Sequence, residues 1–85
     1  MPRKDKPIKV IHRKLGREKA MGQAWHDYRL IEIDIRVTGK DYIDTVVHEI
    51  LHLQNPDWSE RKVKLSANEI TQVLWDLGIR TVEVS

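Results

Sequence analysis

Apolar and charged residues alternate strictly between Ile31 and Val37. The apolar positions are all β-branched, and they are Ile31, Ile33, Ile35 and Val37. A period of two over this length is typical of a strand with one buried face. Residues 8–13 form a weaker strand candidate, and residues 81–84 form a short one near the end of the chain. The pattern therefore predicts a small sheet.

Two later segments repeat with the period of an α-helix instead. In the first, one face carries apolar residues, which are Ile43, Val46, Val47, Ile50 and Leu51. In the second, residues 58–77, the corresponding residues are Val63, Ala67, Ile70, Leu74 and Leu77. Thr38 is suited to cap the first helix, and Gly78 is suited to end the second. Pro56 lies between them in an Asn-Pro-Asp turn, so the two helices are expected to form a hairpin.

These elements predict an α+β fold in which a small sheet packs on two helices. We expect residues 1–85 to form one domain, with residues 1–6 as a flexible basic tail. A chain of 85 residues gains only modest stability from its core, so a bound metal would add to it. The absence of cysteine excludes disulfides, a cysteine zinc ribbon and a thiol nucleophile. Without a secretory segment or an apolar run of membrane-spanning length, the protein is expected to be cytoplasmic and free of membrane contact.

Basic residues are concentrated at the start of the chain. Residues 1–20 hold eight of the 15 Lys and Arg residues and two of the 13 acidic residues. Such a segment is able to contact nucleic acid or another polyanion. No aromatic residue lies among these charges, and a solvated terminus is the commoner interpretation. A weak polyanion contact by the N-terminus is therefore kept as an expectation.

Residues 48–52 read His-Glu-Ile-Leu-His and lie on the first predicted helix. Side chains four positions apart share a helix face, so His48 and His52 can reach one metal ion, with Glu49 beside them. A zinc ion on two imidazoles and a third protein ligand keeps a position for water and lowers its pKa to about 7. Both histidines point away from the apolar stripe, so a pair of surface histidines is the alternative interpretation.

A zinc site needs a third protein ligand, and the chain offers few. The other two histidines, His12 and His26, lie upstream. On the second helix, Glu60 lies at the inner edge of the first turn, whereas Glu69 faces away. A carboxylate facing inward is costly unless it is paired or bound to a metal, so we predict Glu60 as the ligand and keep Glu69 as the alternative. Glu60 could instead close a capping box with Asp57 as the N-cap.

The motif is followed by further residues that carry a resemblance, namely Pro56, Glu60, Val63, the Leu74-Trp75 pair and Gly78. Over residues 22–80 the chain resembles the small zincin-type metallopeptidases of phage and prophage genomes, which are related to SprT-like and gluzincin domains. The resemblance implies zinc held by His48, His52 and Glu60, with Glu49 as the general base. It also implies that a peptide substrate binds in extended form along residues Leu30 to Val37, by strand addition.

The chain departs from three better-known zincin branches. Metzincins have a Gly and a third His where this chain has Asn55 and Trp58. SprT-like domains take a third histidine from downstream, and no histidine follows His52 here. Larger gluzincins place the glutamate ligand farther along, nearer the distance of Glu69. Glu69 points the wrong way on its helix, so it is kept only as the alternative to Glu60.

The predicted function is zinc-dependent peptide hydrolysis, in which Glu49 takes a proton from water and passes it to the leaving amine. The candidate donors to the oxyanion are Tyr28, His26 and Tyr42. Asp44 and Thr45, one turn from His48, could orient an imidazole. Two alternatives remain, a non-catalytic zinc-binding module that binds a partner protein and a basic nucleic-acid-binding domain.

Overall fold

The computed structural model describes residues 6–16 and 21–81. The described chain forms three strands, β1 (Lys9–Arg13), β2 (Gly22–Trp25) and β3 (Leu30–Asp34), and then two helices, α1 (Gly39–Gln54) and α2 (Glu60–Asp76). A 3-10 turn, His26–Tyr28, connects β2 to β3. The predicted α+β fold, a small sheet on two helices, is confirmed. Of the predicted basic tail, only Lys6 falls among the described residues.

The strand with the clearest alternation, β3, lies in the centre of the sheet. It pairs with β1 in parallel and with β2 in antiparallel orientation, in the order β1-β3-β2. Ile31 and Ile33 point to the helices, where they form the core with Leu53. β1 pairs with β3 along Leu30–Asp34 and β2 pairs with it along Leu30–Ile33, so β3 offers no free edge for the strand addition expected along residues 30–37.

The predicted strand over residues 31–37 also ends earlier than its pattern suggests. Asp34 turns the chain, because its carboxylate accepts hydrogen bonds from the backbone N–H of Arg36 and of Leu15 at 2.8 and 3.1 Å. Ile35 consequently leaves the core and is exposed. The third predicted strand, residues 81–84, lies outside the described residues except for Thr81, which is not in a strand.

The first helix, α1, lies between the sheet and α2. Thr38 is its N-cap residue as predicted, although its side chain makes no capping hydrogen bond. Ile43 is buried, and Val46 and Ile50 pack against the core cluster of the sheet. None of the described helices is both long enough and apolar enough to cross a membrane.

The second helix, α2, packs mainly on α1 and buries a narrower stripe than its sequence predicts. Val63, Ala67 and Thr71 are buried. Ile70 and Leu77 were predicted to be buried too, and this is wrong, since Leu77 is 71% exposed. A helix that packs on a single neighbouring helix covers only part of a wide apolar face.

The end of α2 follows the prediction. Gly78 adopts a φ of 85°, and two hydrogen bonds close the last turn, from Gly78 N–H to the Trp75 carbonyl and from Ile79 N–H to the Leu74 carbonyl, both 3.0 Å. These bonds form a Schellman motif, which favours glycine at its left-handed position.

Candidate metal centre

The three predicted ligands, His48, His52 and Glu60, meet at the corner between α1 and α2. The carboxylate of Glu60 lies 2.7 Å from Nε2 of His48 and 2.9 Å from Nε2 of His52. The two Nε2 atoms are 3.2 Å apart. All three residues offer a ligand atom within 4.8 Å of the others, so the group is close enough to hold a metal ion.

The two histidines reach the same point because they are four residues apart on α1, which puts them on one face. Their side chains are largely covered, with 18% of His48 and 23% of His52 exposed. The helix corner brings Glu60 to them within a five-residue connection, residues 55–59. The four-residue spacing of the histidines and the short connection between α1 and α2 together bring the three side chains to one point. Both features follow from the sequence pattern.

The start of α2 decides what Glu60 is free to do. The N-cap is Ser59, whose Oγ accepts the backbone N–H of Lys62 at 3.1 Å. Glu60 is therefore the first helical residue, and the capping-box interpretation with Asp57 as the N-cap is wrong. A carboxylate in the first turn is also favoured by the helix dipole.

Glu60 is less enclosed than the sequence pattern predicts. Its side chain is 69% exposed, although its carboxylate contacts both imidazoles. The expectation of an enclosed carboxylate at the inner edge of the helix is therefore wrong, although the expected contact with the two histidines is present. Its carboxylate is nevertheless directed to the centre, with one oxygen on each imidazole nitrogen.

Glu49 lies on a different side of α1 from the ligands, against β2. It is buried, and burial raises the pKa of its carboxyl above the ordinary value. The charges of His48 and His52 oppose that increase and the charge of Glu60 adds to it. A carboxyl with a raised pKa is suited to accept a proton near neutral pH.

β2 provides the cover over Glu49, and the sequence pattern does not predict this strand. A Cβ atom at Gly22 would lie 2.8 Å from Cγ2 of Thr45 and 3.1 Å from Cγ of Glu49. Glycine therefore allows β2 to approach α1 at the point where the catalytic candidate lies. The only sequence signal is a glycine before a short apolar segment, which is too weak to identify a strand.

The other candidate residues are engaged elsewhere. Nε2 of His12 contacts the hydroxyl of Tyr42 at 2.5 Å, and His12 does not belong to the ligand group. The Asp44 carboxylate accepts the hydroxyl of Thr71 at 3.3 Å, and Thr45 donates its hydroxyl to the Asp41 carbonyl at 2.7 Å. Asp44 and Thr45 therefore do not orient an imidazole.

The three remaining candidates are Tyr28, Glu69 and His26. Tyr28 and Glu69 are exposed, and Glu69 is not part of the ligand group. His26 lies beside the centre, since its Nε2 is 2.8 Å from the backbone carbonyl of His52. This contact occupies Nε2 of His26, and His26 is not part of the ligand group.

Comparison with protein-family models, curated proteins and solved structures finds no match to this chain. The resemblance to zincin metallopeptidases stays a prediction.

Proposed function

We propose that the protein is a zinc-dependent metallopeptidase, with zinc held by His48, His52 and Glu60 and with Glu49 as the general base. The observation that carries the proposal is the convergence of two imidazoles and one carboxylate. The buried carboxyl of Glu49 belongs to the residue that directly follows His48 in the chain. Two histidines, one glutamate and an open fourth position form a ligand set used by catalytic zinc sites.

The spacing of the two imidazole nitrogens fits zinc, whereas the Glu60 oxygens, 2.7 and 2.9 Å from those nitrogens, would have to move outward to share the ion with them. Two nitrogens about 2.05 Å from a tetrahedral ion lie about 3.3 Å apart, and the Nε2 atoms of His48 and His52 are 3.2 Å apart. Imidazole and carboxylate are ligands that suit zinc, and the site contains no sulfur donor. The exposed position of Glu60 leaves the centre open to solvent on one side.

When bound, zinc polarises a carbonyl group and lowers the pKa of water to about 7. Glu49 then accepts a proton from water and delivers it to the amine that leaves. Its burial against β2 supports this role, because a raised pKa makes the carboxyl a better proton carrier near neutral pH. His48, His52 and Glu60 act as ligands and transfer no proton.

A peptide substrate would bind along β2 rather than β3. Among the described residues, no strand pairs with the side of β2 that faces away from β3. β2 also packs on α1 next to Glu49, so a peptide added to its edge would pass the candidate general base. Backbone hydrogen bonds at a sheet edge bind extended peptides without strong sequence preference.

Metal content is the first test of the proposal. Purified protein is loaded with zinc, desalted and analysed by mass spectrometry, for the wild type and for His52→Ala, Glu60→Ala and Glu69→Ala. We expect about one zinc per chain in the wild type, loss of zinc in the first two variants, and retention in Glu69→Ala. Glu69 is the matched control, because it is an exposed glutamate on the same helix. A wild type without zinc contradicts the proposal.

Hydrolysis is the second test, with Glu49→Gln as the decisive variant. This variant keeps all three ligands, so it should bind zinc like the wild type. Loss of the general base should slow cleavage of a fluorogenic peptide library by about 10²- to 10⁴-fold. Equal cleavage by the variant and the wild type would remove Glu49 from the mechanism.

A non-catalytic zinc module is the second candidate, and one observation favours it. The three ligands come from two helices, so a bound ion would fasten α1 to α2 in a small protein. On this alternative, zinc raises the melting temperature, while neither the wild type nor Glu49→Gln cleaves any peptide. No observation on the described part of the basic segment favours the nucleic-acid alternative, and Arg13 there is paired with Glu32.

A further inference from the structure

The backbone carbonyl of His52 lacks the partner that an α-helix would give it. In a helix, the carbonyl of one residue accepts the N–H of the residue four positions later. The residue four positions after His52 is Pro56, which has no N–H. The preceding carbonyl, that of Leu51, is satisfied twice, by the backbone and side-chain nitrogens of Asn55 at 2.9 and 3.2 Å.

His26 takes the place of the missing donor. Its Nε2 atom lies 2.8 Å from the His52 carbonyl oxygen. A carbonyl oxygen only accepts hydrogen bonds, so Nε2 of His26 carries the proton and donates it. The bond connects the turn between β2 and β3 to the last turn of α1.

The turn that presents His26 is itself fixed. The backbone N–H of Arg29 donates to the His26 carbonyl at 3.3 Å, and Arg29 adopts a left-handed φ of 51°. The imidazole is therefore held by a closed turn at one end of β3. A donor held in this way restricts the helix end more than a water molecule would.

We propose that His26 is a positioning residue of the candidate metal centre, which holds His52 in place through the backbone carbonyl of that residue. The inference rests on the ligands assigned in the proposed function. Without this hydrogen bond, the last turn of α1 has a free carbonyl at the residue that carries a ligand. Fraying there would move Nε2 of His52 relative to the other two ligands. His48 is anchored one turn earlier on α1, and Glu60 is anchored on α2.

The test compares two substitutions of similar size. His26→Leu removes the donor, whereas His26→Gln keeps an N–H group that can reach the same carbonyl. His12→Ala is the control, because His12 is also exposed but contacts Tyr42 near the start of α1. Zinc affinity is measured by competition with a chelator of known affinity. The visible spectrum of the cobalt-loaded protein reports the ligand geometry.

We expect His26→Leu to weaken zinc binding by about 10- to 100-fold, as is found when a group supporting a metal ligand is lost. The cobalt bands of this variant should shift. His26→Gln should restore most of the affinity and the wild-type spectrum, and His12→Ala should leave both unchanged.

A purely structural role would give a different result. If His26→Leu lowers the melting temperature of the metal-free protein but keeps the wild-type zinc affinity and cobalt spectrum, the inference is overturned. Should His26→Leu fail to fold, an unrestored affinity in well-folded His26→Gln overturns it as well. A wild type that binds zinc at these ligands without cleaving peptides would refute the proposed function and leave this inference standing. A wild type that binds no zinc refutes both.

Discussion

Adding a single methyl group at Gly22 should separate β2 from α1. The new Cβ would lie 2.8 Å from Cγ2 of Thr45, closer than two carbon atoms can approach, and 3.1 Å from both Cγ of Glu49 and the Glu32 carbonyl oxygen. Two of the three neighbours yield poorly, since Thr is β-branched and the Glu32 carbonyl belongs to the central strand. Gly22→Ala therefore forces either the strand or the helix to move.

Overpacking of this kind lowers the free energy of unfolding by about 1 to 3 kcal/mol. For a domain of this size, a loss of about 2 kcal/mol lowers the melting temperature by roughly 10 °C. Thermal unfolding followed by circular dichroism measures the shift.

Thr45→Ser provides the matched rescue. It removes Cγ2, the atom nearest to the new methyl group, and keeps the hydroxyl that donates to the Asp41 carbonyl. Alone it should destabilise the protein by about 1 kcal/mol, the value of one buried methyl group. In combination with Gly22→Ala it should cost about 1 kcal/mol less than the sum of the two single changes. Strictly additive effects, or an unchanged melting temperature in Gly22→Ala, would refute the close approach of β2 to α1.

Two further outcomes are expected. Ser59→Ala removes the N-cap of α2, so it should lower the free energy of unfolding in urea by about 1 kcal/mol and weaken zinc binding through Glu60. Ser66→Ala, inside the same helix, is the control. Equal effects of the two changes would contradict the role of Ser59 as the N-cap. Hydrogen bonding to Arg13, opposed by burial and aided by Trp25, lowers the pKa of Glu32 from 4.5 to about 2. The ionised Glu32 therefore stabilises the folded protein fully above about pH 4.5, and this contribution is lost as the pH falls towards 2. Glu32→Gln should reduce that acid dependence in unfolding curves measured from pH 2 to pH 6, whereas an unchanged pH dependence would show that the Arg13 contact contributes nothing.

The parts of the fold that depend on local periodicity could be predicted from the sequence. Both helices, the strand at Ile31 and Ile33, and the corner at Pro56 follow from patterns within a few residues of one another. The meeting of His48, His52 and Glu60 also follows, since it needs only one helix period and one short connection. This meeting could be predicted because the three ligands are close together in the chain.

Long-range arrangements could not be predicted in the same way. The alternation in β3 indicates one buried face but says nothing of which strands pair with its edges. Its central position depends on β2, a strand of four residues that begins with glycine. The burial of Ile70 and Leu77 fails for a related reason, since an apolar stripe does not reveal how many neighbours cover it.

The cap of α2 shows how a small ambiguity alters a functional interpretation. Asp57 and Ser59 are both good N-cap residues and lie two positions apart. With Asp57 as the cap, Glu60 occupies the position where its carboxylate bonds to backbone. With Ser59 as the cap, the Lys62 N–H is satisfied by a hydroxyl, and the Glu60 carboxylate is left for the imidazoles.

His48 and Glu49 point in different directions from α1. Glu49 follows His48 directly, and one residue turns the helix by about 100°. The imidazoles therefore point to the α2 side and Glu49 points to β2, so the proposed metal and the general base approach a substrate from two sides. A peptide in reach of both must lie between β2 and the start of α2. For the same reason, Trp25 at the end of β2 is better placed than any residue of β3 to influence which peptides bind.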